Sequence, residues 1–341
     1  MALQASGTIR YSEIIAEFGT PNNGGLGQYR ISENVGSLSN LPLDTGVPQS
    51  GQIKFSDFYS KRLNQVVDLH SIGNSTSRQN AKDRWNNGNV HIVGSSKTGK
   101  TQPPDTIDDR VIVNVNNTIR SVKGTQTHCA LRTGNWDSGT VLEIEIGTSG
   151  KLYGSGGNGG SGGSANETAG TDGQTGSSAL GIQYPCSINN LGVIQSGYGG
   201  GGGGGGNTRT TGGGKKSGAT TNGSSGGGGG GGAGLPAGDA GGVQTPLEVG
   251  GGSAGSAGQA GSLSGLANGG LGGTEAGDGG NSGAVNNSAT KADDGETVSG
   301  AASPGTGGNN GFAIITNQGS APSVTGGGSI TGRTVTSTNP T

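Results

Sequence analysis

The sequence predicts a mainly β and irregular fold. It comprises a small α+β N-terminal unit, a β-rich middle and a glycine-rich bundle of polyglycine II helices. Three observations carry this. Glycine supplies 80 of 341 residues, while hydrophobic residues make up 27% and charged residues 12%. Residues 151–310 alone hold 57 of the 80 glycines. Residues 63–150, by contrast, contain four apolar stretches with the alternation of half-buried strands. The expected units are 1–62, 63–150, 151–310 and a C-terminal strand and tail, 311–341.

Composition also excludes. A two-domain enzyme with two apolar cores would need more Leu, Ile, Val and Phe. Charged disorder would be richer in Glu, Lys and Pro. The net charge of −2, with no basic stripe, argues against a nucleic-acid partner. No apolar run approaches the length needed for membrane insertion. The opening residues lack the basic-then-apolar pattern of a signal peptide.

The N-terminal unit contains a repeat. Ser6-Gly7-Thr8-Ile9-Arg10-Tyr11-Ser12-Glu13-Ile14 matches Ser50-Gly51-Gln52-Ile53-Lys54-Phe55-Ser56-Asp57-Phe58. Each copy reads as a short extended piece followed by a helical turn, with Ser12 and Ser56 as expected N-caps and an acid in the first turn. Gly19 is expected to end the first helix after Ile14, Ile15 and Phe18. So short a segment buries little by itself and is expected to need a partner surface. Ile9, Tyr11, Ile14, Phe18, Ile53, Phe55 and Phe58 are therefore the candidate docking residues.

The middle unit has strand patterns at 66–70, 89–93, 110–115 and 141–146, separated by turn residues. They predict a small antiparallel sheet or sandwich with one wet face. Residues 94–101 fit the spacing of a phosphate-binding loop, G-x-x-x-x-G-K-[ST]. That loop must open into a helix whose amides hold the phosphate. Pro103 and Pro104 follow, so the first helical turn cannot form normally, and a polar hairpin loop is expected instead.

Two stretches lead into the glycine-rich module along similar lines, 141–157 and 184–200. Each reads strand, glycine turn, short apolar piece, glycine, and each is expected to form a hairpin-like clamp. Uninterrupted glycine runs follow at 199–206 and 226–232. Later, Gly252, Gly255, Gly258 and Gly261 recur every third residue. A period of three matches a left-handed extended helix of about 3.1 Å rise per residue, so 199–206 would span about 25 Å. Proline is too sparse for collagen. A flexible Gly/Ser linker is the alternative, but it has no need of the period or of the flanking Tyr153, Tyr184, Ile188, Val193, Ile194 and Tyr198. In a slab of such helices the intervening segments become end loops: 207–216, 235–249 and 284–304. Loops on a rigid scaffold carry recognition, which makes Asn207, Thr208, Arg209, Lys215, Lys216, Leu235 and Glu248 the candidate binding residues.

The paired SGTIRYSEIIAEFG and SGQIKFSDFYSK segments resemble the N-terminal region of tailed-bacteriophage tail-fibre and tail-tip proteins. SINNLGVIQSGYGGGGGGGG is similar to their glycine-rich C-terminal modules. The resemblance implies a distal-tail virion protein, made in the host cytoplasm, that adheres to a bacterial surface receptor, protein or polysaccharide. It implies other tail proteins as partners; a trimer would suit a fibre and a monomer a tip cap. The alternative is a purely structural spacer or head-decorating spike with no receptor contact.

No catalytic residue, cofactor or metal site is expected. His70 and His91 have no carboxylate or cysteine at ligand spacing in sequence. Asp293, Asp294 and Glu296 read as a solvated acidic loop. Trp85 and Trp136 read as core anchors. Cys129 and Cys186 could pair, but a free thiol at Cys186 fits a reducing cytoplasm better.

Overall fold

The computed structural model describes residues 2–69, 78–101, 109–165, 168–211, 220–244, 253–273, 275–283 and 291–341. It is mainly β and irregular, with three short α-helices among the described residues.

Most of the strands build three largely parallel sheets, beside two antiparallel pairs, Glu33–Val35 with Leu38–Leu41 and Asn207–Thr211 with Thr220–Ser224. The first contains Asn64–Asp68, Arg110–Val115, Val141–Ile146, Cys186–Asn190 and Ser323–Thr325 in spatial order. The second contains Thr118–Arg120, Lys151–Tyr153, Val193–Gln195 and Ser329–Thr331. The third contains Gln79–Asn80, Cys129–Arg132, Ser178–Ile182, Phe312–Thr316 and Arg333–Val335. From Arg110 on, the chain visits first, second and third sheet in that order and repeats the circuit, so it winds as a three-sided coil.

Register stacks like on like. Val67, Val113, Ile144, Ile188 and Val324 are successive partners across the first sheet. Ile119, Leu152, Ile194 and Ile330 are partners across the second, and Leu131, Leu180 and Ile314 across the third. All but Val324 and Ile330 are buried in one shared apolar core. Full burial of such side chains contributes about 1.5–3 kcal/mol each relative to exposure.

The expected antiparallel sheet is thus corrected. The strand positions hold, with Arg110–Val115 and Val141–Ile146 in place, but the pairing is parallel except for His91–Ile92 against Asn64–Asp68. Alternation reports which face is buried and says nothing about direction. Likewise, 141–157 and 184–200 are not hairpins. They are consecutive circuits of the coil, stacked with Ile144 opposite Ile188 and Leu152 opposite Ile194.

The N-terminal unit finds its partner surface within the same chain. Ile14, Phe18, Tyr29 and Phe58 are fully buried, and they share a second core with Val66, Ile92 and Ile112 from the outer face of the first sheet. Phe18, Tyr29 and Phe58 meet at ring separations of 5.5–6.2 Å. Helix Tyr11–Phe18 ends at Gly19, whose N–H donates to Ile15 O. Its N-cap is Arg10 rather than Ser12, and the N-cap of the second copy's turn, Phe55–Phe58, is Lys54 rather than Ser56. The acid three residues on takes the cap's own backbone N–H: Arg10 to Glu13 at 2.6 Å and Lys54 to Asp57 at 2.7 Å. That bond sets the helix start two residues earlier than a serine cap would.

Residues 94–101 form a corner around a short helical turn rather than the expected hairpin loop. Ser95–Thr98 makes a single turn between Gly94 and Gly99, both left-handed. Lys100 Nζ donates to Ala16 O at 2.5 Å, which fastens the corner to the first helix. Pro103 and Pro104 lie outside the described residues.

Trp85 and Trp136 are core anchors. They meet edge to face at 6.2 Å, with Lys82 Nζ over both rings. Cys129 and Cys186 are unpaired.

Candidate functional site

The glycine-rich segments leave the coil at one corner, between the second and third sheets. One excursion runs from Gly154 to Ser177, the other from Ser196 to Gly311. Because the coil is three-sided, this corner lies opposite the first sheet, on whose outer face the N-terminal unit packs. The strand pairing continues into the excursions: Gly154 N–H donates to Gln195 O at 2.8 Å, and Gly197 N–H to Ser177 O at 2.8 Å. The neck is buried, with Tyr153, Ser155, Ser177, Ser196, Tyr198 and Asn310 all under one-tenth exposed.

Beyond the neck the chain runs outward and back repeatedly, bonded through its backbone. The N–H groups of Gly157, Gly160 and Gly163 donate to Tyr198, Gly201 and Gly204. Those of Gly156, Gly159 and Gly162 donate to Pro236, Asp239 and Gly242. Successive residues therefore address different neighbours, and the pattern repeats every three residues.

The run 226–232 donates to 157–163, 277–280 and 256–259, and accepts from 201–204, 238–241 and Gly270. The run 197–206 donates to 168–177, 227–233 and Asp293, and accepts from 157–163, 277–283 and 305–311. Each has six neighbouring runs, and these two contain the stretches that the sequence leaves unbroken as glycine, 199–206 and 226–232. A Cβ on Gly229 would lie 2.0 Å from Gly201 O, and one on Gly203 1.9 Å from Ser161 O. Runs at the slab surface, such as 253–262, keep glycine at every third position and carry side chains between.

This pairing separates two ends. Residues 234–236, 262–267, 283 and 311 lie beside the coil. Residues 163–165, 168, 206–211, 220–225, 242–244, 253, 273, 275 and 296–302 lie at the far end.

Of the expected end loop 207–216, the described part, Asn207–Thr211, lies at the far end, and 212–216 lie outside the described residues. The segments 235–249 and 284–304 each contain a further run, 236–242 and 291–296, whose glycines are too few to mark it in sequence. Asn207–Thr211 pairs antiparallel with Thr220–Ser224. Asn207 Nδ2 donates to Glu275 O at 2.8 Å, Thr208 Oγ1 donates to Ala165 O, and Asn207 bridges to Ala301. The far end thus gathers Ala165, Asn207, Thr208, Glu275 and Ala301 from four separate turns. Arg209 lies in the same strand. Val243, also at this end, is 39% exposed.

Leu235 sits at the opposite end, where its N–H donates to Gly154 O at 2.9 Å. Lys215, Lys216 and Glu248 lie outside the described residues. Of the docking candidates, Ile9, Ile14, Phe18 and Phe58 are buried, Tyr11 and Ile53 are half-buried and Phe55 is 43% exposed. Sequence reasoning missed Ala165, Glu275 and Ala301, which enter through their backbone groups and could be found only by position.

Several titratable groups outside this end have structural partners. His91 Nε2 lies 2.8 Å from Glu33 Oε2, whose other oxygen accepts from Gly94 N–H at 3.0 Å. His70 lies outside the described residues. Asp294 is held below the usual carboxylate range by Lys291 and by the Gly307 N–H. Asp172 is lowered by the Thr306 N–H and hydroxyl. Among the described residues no cluster suits a metal ion, and no helix is long and apolar enough to cross a membrane.

A coil that holds a backbone-bonded slab, with turns gathered at the slab's free end, defines a scaffold protein that presents loops. The profile of the phage tail fibre adhesin Gp38 family matches residues 85–335, and the chain belongs to that family. It is a virion protein of the phage tail fibre that binds the host receptor, and it is not an enzyme. Among solved structures it is similar to the gp37-gp38 adhesin tip complex of the bacteriophage S16 long tail fiber. Identity there is 17%, covering 98% of this chain and 99% of that one, with a TM-score of 0.34. No curated protein matches.

Proposed function

We propose that the slab is a polyglycine II bundle and that its far end is the receptor-contacting surface. Asn207, Thr208 and Arg209, with Lys215, Lys216 and Glu248 in the adjoining connections, supply the contact groups. Residues 1–62 attach the adhesin to the fibre, and the coil spans the distance between.

The observation that carries this reading is the bonding of 197–206 and 226–232. Ordering glycine costs more entropy than ordering any other residue. A lattice bonded in every lateral direction offsets that cost, at about 0.5–1.5 kcal/mol net per bond. A linker has no such return. The slab therefore holds its far-end turns rigidly, which lowers the entropy cost of binding.

The unit of 1–62 packs opposite the corner from which the slab departs. Attachment and recognition thus fall at opposite extremes of the molecule. A complex with a gp37 fibre protein, as in the S16 structure, fits this layout.

The experiment exchanges residues 208–223 and 243–252 for those of a phage with another host range. Virions should keep the protein and lose adsorption to the original host. Unchanged adsorption, with the exchanged protein present on the particle, overturns the reading.

A further inference from the structure

The two copies of the N-terminal element share their entry geometry, although the first continues as an α-helix and the second is a single 3-10 turn. Arg10 and Lys54 are both extended, at φ −101°, ψ 152° and φ −124°, ψ 160°. Each gives its backbone N–H to the acid three residues on. The copies lie side by side: Tyr59 Oη donates to Gly7 O, Ser60 N–H donates to Gln4 O at 3.1 Å, and Phe18 and Phe58 are in contact at 5.9 Å.

The two acids are committed to the backbone. Arg10 and Lys54 are exposed, and neither forms an ion pair among the described residues. Elsewhere Lys82, Arg110, Lys123 and Lys291 each meet a carboxylate. Beside Lys54 stands the exposed Phe55 ring. Beside the first copy opens a cavity of about 500 Å³, lined by Ala2, Leu3, Gln4, Glu13, Ala16 and Glu17.

We propose, resting on the reading of 1–62 as the attachment unit, that these two elements form a paired docking surface for the end of a homo-oligomeric fibre. Each of two identical fibre chains brings a carboxylate and an apolar side chain to one copy.

Exposed cations beside an aromatic ring and an apolar cavity suit a partner of that chemistry. Two like elements within one chain match two like surfaces on the partner, and a symmetric homo-oligomer presents the same surface once per chain.

The test uses assembled virions. Arg10→Cys and Lys54→Cys variants are coupled through a short heterobifunctional cross-linker, and the joined peptides are mapped. Both positions are expected to join the same peptide of the fibre chain. Two different peptides overturn the proposal.

Arg10→Glu and Lys54→Glu, with thermal melting to show that the chain remains folded, are each expected to cut the adhesin retained per virion at least tenfold. If both assemble normally while Phe55→Asp is lost from virions, attachment through 1–62 stands and the paired-charge proposal falls. If all three assemble normally, the attachment reading falls as well.

Discussion

Gly204 donates its N–H to the carbonyl oxygen of Gly227 at 2.8 Å, and that bond joins the two unbroken glycine runs. Both residues lie where backbone meets backbone on every side. A side chain there would have to displace peptide groups rather than the flexible tip of another side chain.

The first prediction follows from that crowding. Gly229→Ala would place a methyl 2.0 Å from Gly201 O, and should destabilise the protein by about 3 kcal/mol, the upper part of the overpacking range. Gly327, with nothing within 4 Å of a built Cβ, is the control. Gly327→Ala should be neutral, or stabilising by up to about 1 kcal/mol. Urea midpoints measured on both variants check the contrast.

The coil should support the slab mechanically. Ile144 is 1% exposed, between Val113 and Ile188 in the stacked ladder. Ile144→Ala should cost about 2–5 kcal/mol. It should also speed amide exchange at 154–163 and 197–206, which are anchored on the neighbouring strands. Slab exchange that stayed slow while the coil loosened would show the two to be independent.

Both thiols should be inert in the folded protein. Burial pushes Cys129 and Cys186 up to about 12, so little of the reactive thiolate forms near neutral pH. Iodoacetamide at about pH 8 should alkylate neither until denaturant is added, as read by intact mass. Rapid native labelling of Cys129 would contradict the packing of the third sheet.

Glu145 gives a pH dependence. Burial raises its carboxyl above the usual range, and nearby Glu143 adds to this, while Asn189 Nδ2, donating at 2.8 Å, lowers it in part. The folded state therefore holds the proton more tightly than the unfolded state. The resulting stabilisation is fully present below the unfolded carboxylate value of about 4.3 and is lost as pH rises through the raised folded value. Glu145→Gln keeps an acceptor for Asn189. It should melt at the same or a higher temperature at neutral pH, and lose part of the wild-type gain on acidification. Melting curves for both proteins from about pH 4 to 8 would reveal it; parallel curves would remove Glu145 as the cause.

The sequence by itself determined the two central runs of the lattice and the longer strands of the coil. Glycine at every position of 199–206 and 226–232 marks runs that can be approached from all sides, since only a residue without a Cβ permits it. Alternation placed strands at 110–115 and 141–146, and 141–157 and 184–200 shared a pattern that suggested hairpins, where the parallel pairing of Ile144 with Ile188 makes them stacked circuits.

Tertiary structure decided what those segments meet. Strand direction, the burial of Phe18 and Phe58 against Ile112 of the same chain, and the gathering of Ala165, Asn207, Glu275 and Ala301 at one end all depend on contacts between residues far apart in sequence. So does the placing of Leu235 at the end away from Asn207. A local pattern records how many faces of a segment are covered. Which segment covers them is set by closing the chain over long distances, where many partners satisfy the same pattern and packing selects one.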